Sequence, residues 1–196
     1  MKMIRTFLAV KLSSEIRESI ASLQQQLKST LPPINWVRPE SIHLTLKFLG
    51  YVEASRVAEL VAALEPIGKK QPSFSIDVQG LGVFPQVKFP RILWIGVTGE
   101  RQVLQDLVFE IEVALEPLGF PVEKKSYHPH LTLARIKREN AAVGAVLTKN
   151  NVLKCEPQLG TLIVDRFILF QSDLDSSGAT YTPLVTVKLT GILPDQ

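Results

Sequence analysis

Two hydrophobic periods alternate along this chain, and their order predicts its elements. Ile4 to Leu12 is rich in aliphatic and aromatic residues and reads as a strand. After Ser13-Ser14-Glu15, apolar residues return as Ile16, Ile20, Leu23 and Leu27, a helical stripe that Leu31-Pro32-Pro33 ends. Ile34 to Arg38 and Ser41 to Leu49 read as strands, the second closed by Gly50. Val57, Leu60, Val61 and Leu64 mark a helix over Glu53 to Leu64. Strands at Phe74 to Val78 and Arg91 to Val97 flank a loop holding Gly80, Gly82, Pro85 and Pro90. Glu100 to Glu116 is a long amphipathic helix stopped by Pro117 and Gly119. A strand at His130 to Ile136, a weaker helix at Glu139 to Leu147, and strands at Leu159 to Phe170 and Pro183 to Leu189 complete the chain. The order β-α-β-β-α-β-β-α-β-α-β-β is that of an α+β protein.

Two of the strands repeat one another. His43-Leu44-Thr45-Leu46 recurs as His130-Leu131-Thr132-Leu133, although the chain has only 3 histidines. Side chains alternate faces along a strand, so each copy presents an imidazole and a hydroxyl side by side and turns its leucines inward. The copies fall at comparable stages of two halves, a weak internal duplication. No linker separates those halves, so residues 1–196 are expected to form a single domain with two lobes.

A pair of imidazoles suits acid–base chemistry on a phosphate. An unperturbed pKa near ~6.5 lets one ring be neutral while the other is protonated. One then takes a proton from the attacking hydroxyl or water, and the other gives a proton to the departing oxygen. A metal is not obligatory in such a scheme, and the threonines could bind the non-bridging oxygens. For either motif alone the ordinary reading is a half-buried strand histidine beside a threonine chosen for propensity.

Among the flanking residues, Lys47 shares the parity of His43 and Thr45 and is a candidate phosphate contact, as is Arg38. Arg135 has the parity of Leu131 and Leu133, so an active-site role for it requires the strand to end or bulge. Trp36, Tyr127 and Trp94 could stack a base, although Trp94, amid apolar neighbours, is assigned to the core. His128-Pro129-His130 could chelate zinc, but no compact set of further ligands surrounds it, so His128 is placed at the edge of the cleft. Gly80-Leu81-Gly82 begins like a dinucleotide fingerprint, yet Pro85 stands where the third glycine belongs, and a turn is expected.

Composition narrows the class further. The chain is 45% hydrophobic and 21% charged with a net charge of +3, an ordinary globular balance that leans toward an anionic partner. Cys155 is the single cysteine, read as a buried small apolar side chain in a reducing compartment. No stretch approaches the ~20 apolar residues of a membrane span, so a cytoplasmic protein is expected. No heptad run asks for a partner, and a monomer is expected.

The segment from Ile34-Asn35-Trp36-Val37-Arg38-Pro39-Glu40 to Ser41-Ile42-His43-Leu44-Thr45-Leu46-Lys47-Phe48-Leu49-Gly50 resembles the bacterial and archaeal RNA 2′,3′-cyclic phosphodiesterases. These enzymes, first described as 2′-5′ RNA ligases, belong to the two-histidine phosphoesterase superfamily. Tyr127-His128-Pro129-His130-Leu131-Thr132-Leu133-Ala134-Arg135 resembles their second motif. The opening strand with Arg5 and Phe7 and the segment Pro90-Arg91-Ile92-Leu93-Trp94 are also similar, so the likeness covers nearly the whole chain. It implies a bilobal fold of pseudo-two-fold symmetry, two antiparallel sheets with outer helices around a central cleft. It implies hydrolysis of an RNA 2′,3′-cyclic phosphate to a 2′-phosphomonoester, with no metal and no cofactor. By the same resemblance His43 is the proton donor to the leaving 3′ oxygen, His130 the proton acceptor that activates water, and Thr45 and Thr132 the phosphate holders. Arg135 also fits the family pattern as a phosphate contact. The near-symmetry of the motifs leaves the roles of the two histidines interchangeable. A 2′-5′ RNA ligase, a small cyclic-nucleotide phosphodiesterase and a non-catalytic RNA-binding module are the competing readings.

Overall fold

The computed structural model describes residues 2–137, 140–175 and 178–192. Its elements are β1 (Met3–Lys11), α1 (Ser14–Thr30), β2 (Asn35–Trp36), β3 (His43–Glu53), α2 (Val57–Lys70), β4 (Phe74–Phe84), β5 (Ile92–Gly99), α3 (Arg101–Leu115), β6 (His130–Arg135), α4 (Asn140–Lys149), β7 (Gln158–Val164), β8 (Arg166–Asp175) and β9 (Gly178–Lys188). The α+β class and the two antiparallel sheets hold. One sheet has the order β3-β1-β8-β9 and the other β2-β6-β5-β4-β7.

Several boundaries differ from expectation for physical reasons. The last long apolar run is two strands, β7 and β8, broken at Asp165. The glycine pair 80 and 82 lies inside β4, where the ladder to β5 shifts between Gln79 and Leu81. Gly80 there takes φ +75°, so the expected turn is a bulge. Gly50 likewise does not end its strand: at φ +73° it lies within β3, which runs on to Glu53. Helix α2 runs through Pro66 to Lys70, and Gly68 lets it approach β9 so closely that a Cβ would collide with the Lys188 carbonyl oxygen. The fourth helix is described from Asn140, and its expected start at Glu139 lies outside the described residues. Cys155 is exposed rather than buried.

The two halves exchange elements. Each contributes a first strand and a motif strand to one sheet: β1 with β3, and β5 with β6. Yet β4 of the first half pairs into the second sheet, and β8 of the second half into the first. The helices cross as well. Helix α1 follows β1 but packs against β7, and α3 follows β5 but packs with α2 against the sheet of β3 and β9. One hydrophobic cluster consequently runs through both sheets, from Leu8 and Val10 to Ile76, Leu93, Ile95 and Phe167. Neither half can close a core alone, and we propose that the chain is a single domain. Among the described residues no helix is long and apolar enough to cross a membrane.

Truncation of a core side chain should therefore be felt in both sheets. Leu60→Ala in α2, a fully buried site, should cost about 2–5 kcal/mol. Hydrogen exchange should show the slowest amides of β1 and β5 losing protection together; loss confined to the first sheet would contradict the single-domain reading.

Candidate active site

Each motif strand has the same local defect. In β3 the ladder to β1 passes from Ala9–Thr45 to Leu8–Lys47, skipping Leu46. In β6 the ladder to β5 passes from Trp94–Thr132 to Leu93–Ala134, skipping Leu133. Both are β-bulges at the fourth motif residue, and both reverse the parity of the residues beyond them. Before the bulge His43 and Thr45, and likewise His130 and Thr132, share a half-buried face while the leucines are buried. After it Lys47 and Ala134 turn inward, and Phe48 and Arg135 turn outward.

Two flanking residues change places as a result. The bulge brings Arg135 to the face of His130 and Thr132, meeting the condition set for it. Lys47 loses the parity that recommended it. Its side chain is buried, with Nζ 3.3 Å from Glu112 Oε1 on α3 and donating to the Pro121 carbonyl at 2.9 Å. Glu112 also accepts from the Glu123 amide, so this pair ties β3 to the segment leading into the second motif. The other bulge is held from the other half. The Leu133 carbonyl accepts from the Val37 amide at 2.9 Å and from Nε2 of the buried Gln24 of α1 at 3.1 Å.

The histidines are set alike. Nδ1 of His43 lies 2.8 Å from the Ser41 carbonyl, and Nδ1 of His130 lies 2.8 Å from that of His128. A carbonyl only accepts, so each Nδ1 carries a proton and each Nε2 is left to take or give one. His43 packs against Phe7 (ring centroids 4.7 Å) and the edge of Tyr181 (5.0 Å), and His130 against the edge of Phe84 (5.1 Å) and near Trp94 (6.4 Å). Trp94 therefore belongs to the cleft, its indole lying across Gly82, where a Cβ would collide with the ring. Sequence alone gives no reason to single out Tyr181, Phe84 or Phe48, since an aromatic residue in a strand is ordinary.

The two faces meet. The Tyr127 hydroxyl donates to the Thr45 carbonyl at 2.8 Å, joining the second-motif segment to the first motif strand, and burial raises its pKa far above the usual phenol. Thr45 and His130 line one cavity of about 760 Å³, which His128 also borders. Burial lowers the His43 pKa below its ordinary value; the Ser41 carbonyl opposes this and the charge of Arg135 adds to it. His128 is exposed, its Nδ1 bound to the Ser126 carbonyl. Trp36 sits on β2, with the Lys28 ammonium 5.9 Å over its ring. Among the described residues no group of three or more His, Cys, Asp or Glu side chains is placed to hold a metal ion.

Comparison with known proteins adds to this geometry. The family described as LigT like Phosphoesterase matches the chain twice, over residues 10–94 and 95–181, one copy of the His–Thr motif in each. An RNA 2′,3′-cyclic phosphodiesterase of Aquifex aeolicus (strain VF5) is 33% identical over 193 residues, 97% of this chain and 100% of its own length. The crystal structure of a Thermus thermophilus protein superposes with a TM-score of 0.80 at 26% identity, covering 96% of this chain and 99% of that one. Escherichia coli LigT complexed with 3′-AMP superposes with a TM-score of 0.76 at 27% identity, covering 96% and 99% respectively.

Two measurable outcomes come from the site. Lys47→Met strands a buried carboxylate and should cost about 3–5 kcal/mol, most of it recovered by adding Glu112→Leu. Denaturant melts of the single and double variants measure this; an unchanged midpoint for Lys47→Met would contradict it. His43 should titrate below the ~6.5 of an unfolded histidine. A lowered folded-state pKa favours the neutral form, so its stabilising effect is complete above ~6.5 and lost as pH falls through the folded value. An NMR titration should show this low midpoint rising when inorganic phosphate is added; a midpoint at or above ~6.5 without phosphate would contradict it.

Proposed function

The chain belongs to the LigT-like phosphoesterases, and from that premise we propose that it hydrolyses RNA 2′,3′-cyclic phosphodiester ends to 2′-phosphomonoesters. The observation that carries the reading is the duplicated His–Thr strand face, with Nδ1 of both histidines committed to a carbonyl two residues back. That arrangement supplies two matched Nε2 atoms, which proton transfer needs and simple binding does not.

In the proposed reaction the cyclic phosphate sits between the motifs, its non-bridging oxygens bound by Thr45, Thr132 and Arg135. Water attacks phosphorus as its proton passes to His130 Nε2. The bond from phosphorus to the 3′ oxygen breaks, and His43 Nε2–H protonates that oxygen. The products are a 2′-phosphate and a 3′-hydroxyl, and a second proton exchange with water resets both rings. Because the leaving oxygen receives a proton directly, the scheme requires no metal. Burial and Arg135 disfavour a charged His43 in the free protein. The bound phosphodiester anion offsets both and returns the proton to the donor. Tyr127 acts here by holding Thr45 through its carbonyl. We place this activity in the cytoplasm, in a monomer, consistent with a single exposed Cys155 thiol.

An RNA oligonucleotide ending in a 2′,3′-cyclic phosphate, incubated with excess EDTA, should open to the 2′-phosphate. His43→Ala and His130→Ala should each lower kcat by about 10²–10⁴ while leaving RNA affinity nearly unchanged. The rate should fall on the alkaline side as His43 loses its proton. Opening to a 3′-phosphate, or turnover untouched by either substitution, would overturn the assignment.

A further inference from the structure

The cavity that Thr45 and His130 share does not stop at the motifs. It continues between β3, the segment before His130 and one flank of α3, where Phe48, Phe109, Lys124 and Lys125 line it. The proposed proton transfers use none of these four side chains. Phe109 is 61% exposed and Phe48 62% exposed, an unusual outlay of aromatic surface in one groove. The core stripe of α3 runs through Leu104, Leu107, Val108, Ile111 and Leu115, and Phe109 lies off it. The core therefore does not account for its size or place.

The charges of the groove point the same way. Glu112 is bound to Lys47 and to the Glu123 amide, so its carboxylate is already neutralised and committed. That leaves Lys124 and Lys125 against Glu123, a net positive wall with two exposed ammonium groups. Aromatic faces beside lysines, in a groove continuous with a phosphate-handling pair, match the chemistry of single-stranded RNA. An RNA whose 3′ end carries the cyclic phosphate can leave the centre only through its 5′ oxygen, so a second nucleotide must lie next to the cleft. A volume of about 760 Å³ is within the range that holds a ligand of nucleotide size.

We propose that this groove is a binding site for the nucleotide immediately 5′ of the cyclic end, its base stacked on Phe109 and Phe48 and its phosphate held by Lys124 and Lys125. The proposal rests on the cyclic phosphodiesterase reading. It makes the protein an enzyme for RNA ends rather than for free cyclic nucleotides, a distinction the two histidines cannot make.

The test compares kcat/KM for adenosine 2′,3′-cyclic phosphate with that for a dinucleotide and a tetranucleotide bearing the same end. Variants are Phe109→Ala and the pair Lys124→Gln with Lys125→Gln, all at exposed positions. One stacked base corresponds to a factor of roughly 5–150, so the dinucleotide should be preferred over the mononucleotide by about tenfold or more. Both variants should remove most of that preference and leave mononucleotide turnover unchanged. The lysine variant should also flatten the salt dependence for the dinucleotide, by about 0.7 in log–log slope for each lysine–phosphate pairing removed. Mononucleotide turnover with no preference for the longer RNAs, or a preference that neither variant alters, would overturn the groove while leaving the proposed reaction standing. Turnover of none of the three substrates would overturn the reaction and the groove with it.

Discussion

One backbone constraint decides which side chains join each His–Thr pair in the site, the bulge at the fourth residue of each motif. A regular strand would keep alternating and put the sixth residue of each motif into the core. The bulge instead buries two residues in succession, Leu46 with Lys47 and Leu133 with Ala134. A bulge interrupts its own ladder, and a buried carbonyl without a partner costs about 1–3 kcal/mol. At Leu133 the Val37 amide and Gln24 restore that loss. At the first bulge the inward Lys47 finds Glu112 and the Pro121 carbonyl. The supports come from α1 and α3, each belonging to the half that does not contain the bulge it holds. The exchange of helices and strands thus places each motif under the control of the other half.

That reciprocity explains how two similar lobes keep a fixed relation. The Lys47–Glu112 pair reaches the Glu123 amide, and Tyr127 reaches the Thr45 carbonyl, so β3 is joined to the segment before His130 at two levels. The Nδ1 bonds then fix the direction of each ring, and the aromatic neighbours Phe7, Tyr181, Phe84 and Trp94 fill the space beside them. Rigid packing of this kind favours proton transfer, because a base must stay within hydrogen-bond reach of the proton it takes.

Much of this is legible in the sequence, for a definite reason. Strand alternation and helical stripes mark the elements, and the repeated tetrapeptide marks both motif strands. The bulges are not legible, because Leu46-Lys47 reads as ordinary alternation when Lys47 is counted as polar. Leu133-Ala134, two apolar residues in succession, carries a faint signal, and a place for Arg135 in the site is legible only on condition of a bulge. Trp94 reads as core because its chain neighbours are apolar. The better signal is Gly82 opposite it and Gly96 two residues on, which clear one face of the sheet for a large ring. Pro66 reads as the end of α2, yet the apolar stripe continues through it to the buried Ile67, and Gly68 packs against β9.

The two bulges also break the symmetry they share. Equivalent positions after the bulge hold Phe48 in one strand and Arg135 in the other. Nothing in the tetrapeptides themselves distinguishes the two sides of a phosphate bound between them. An arginine on one side and an aromatic ring on the other does: in the proposed reaction the anion is drawn to Arg135, and the flat, weakly charged parts of the nucleotide fit beside Phe48. A substrate seated that way presents one ester oxygen to each histidine in a fixed order. By that argument the proposed division of labour between His43 and His130 is set not in the histidines but two residues beyond each motif.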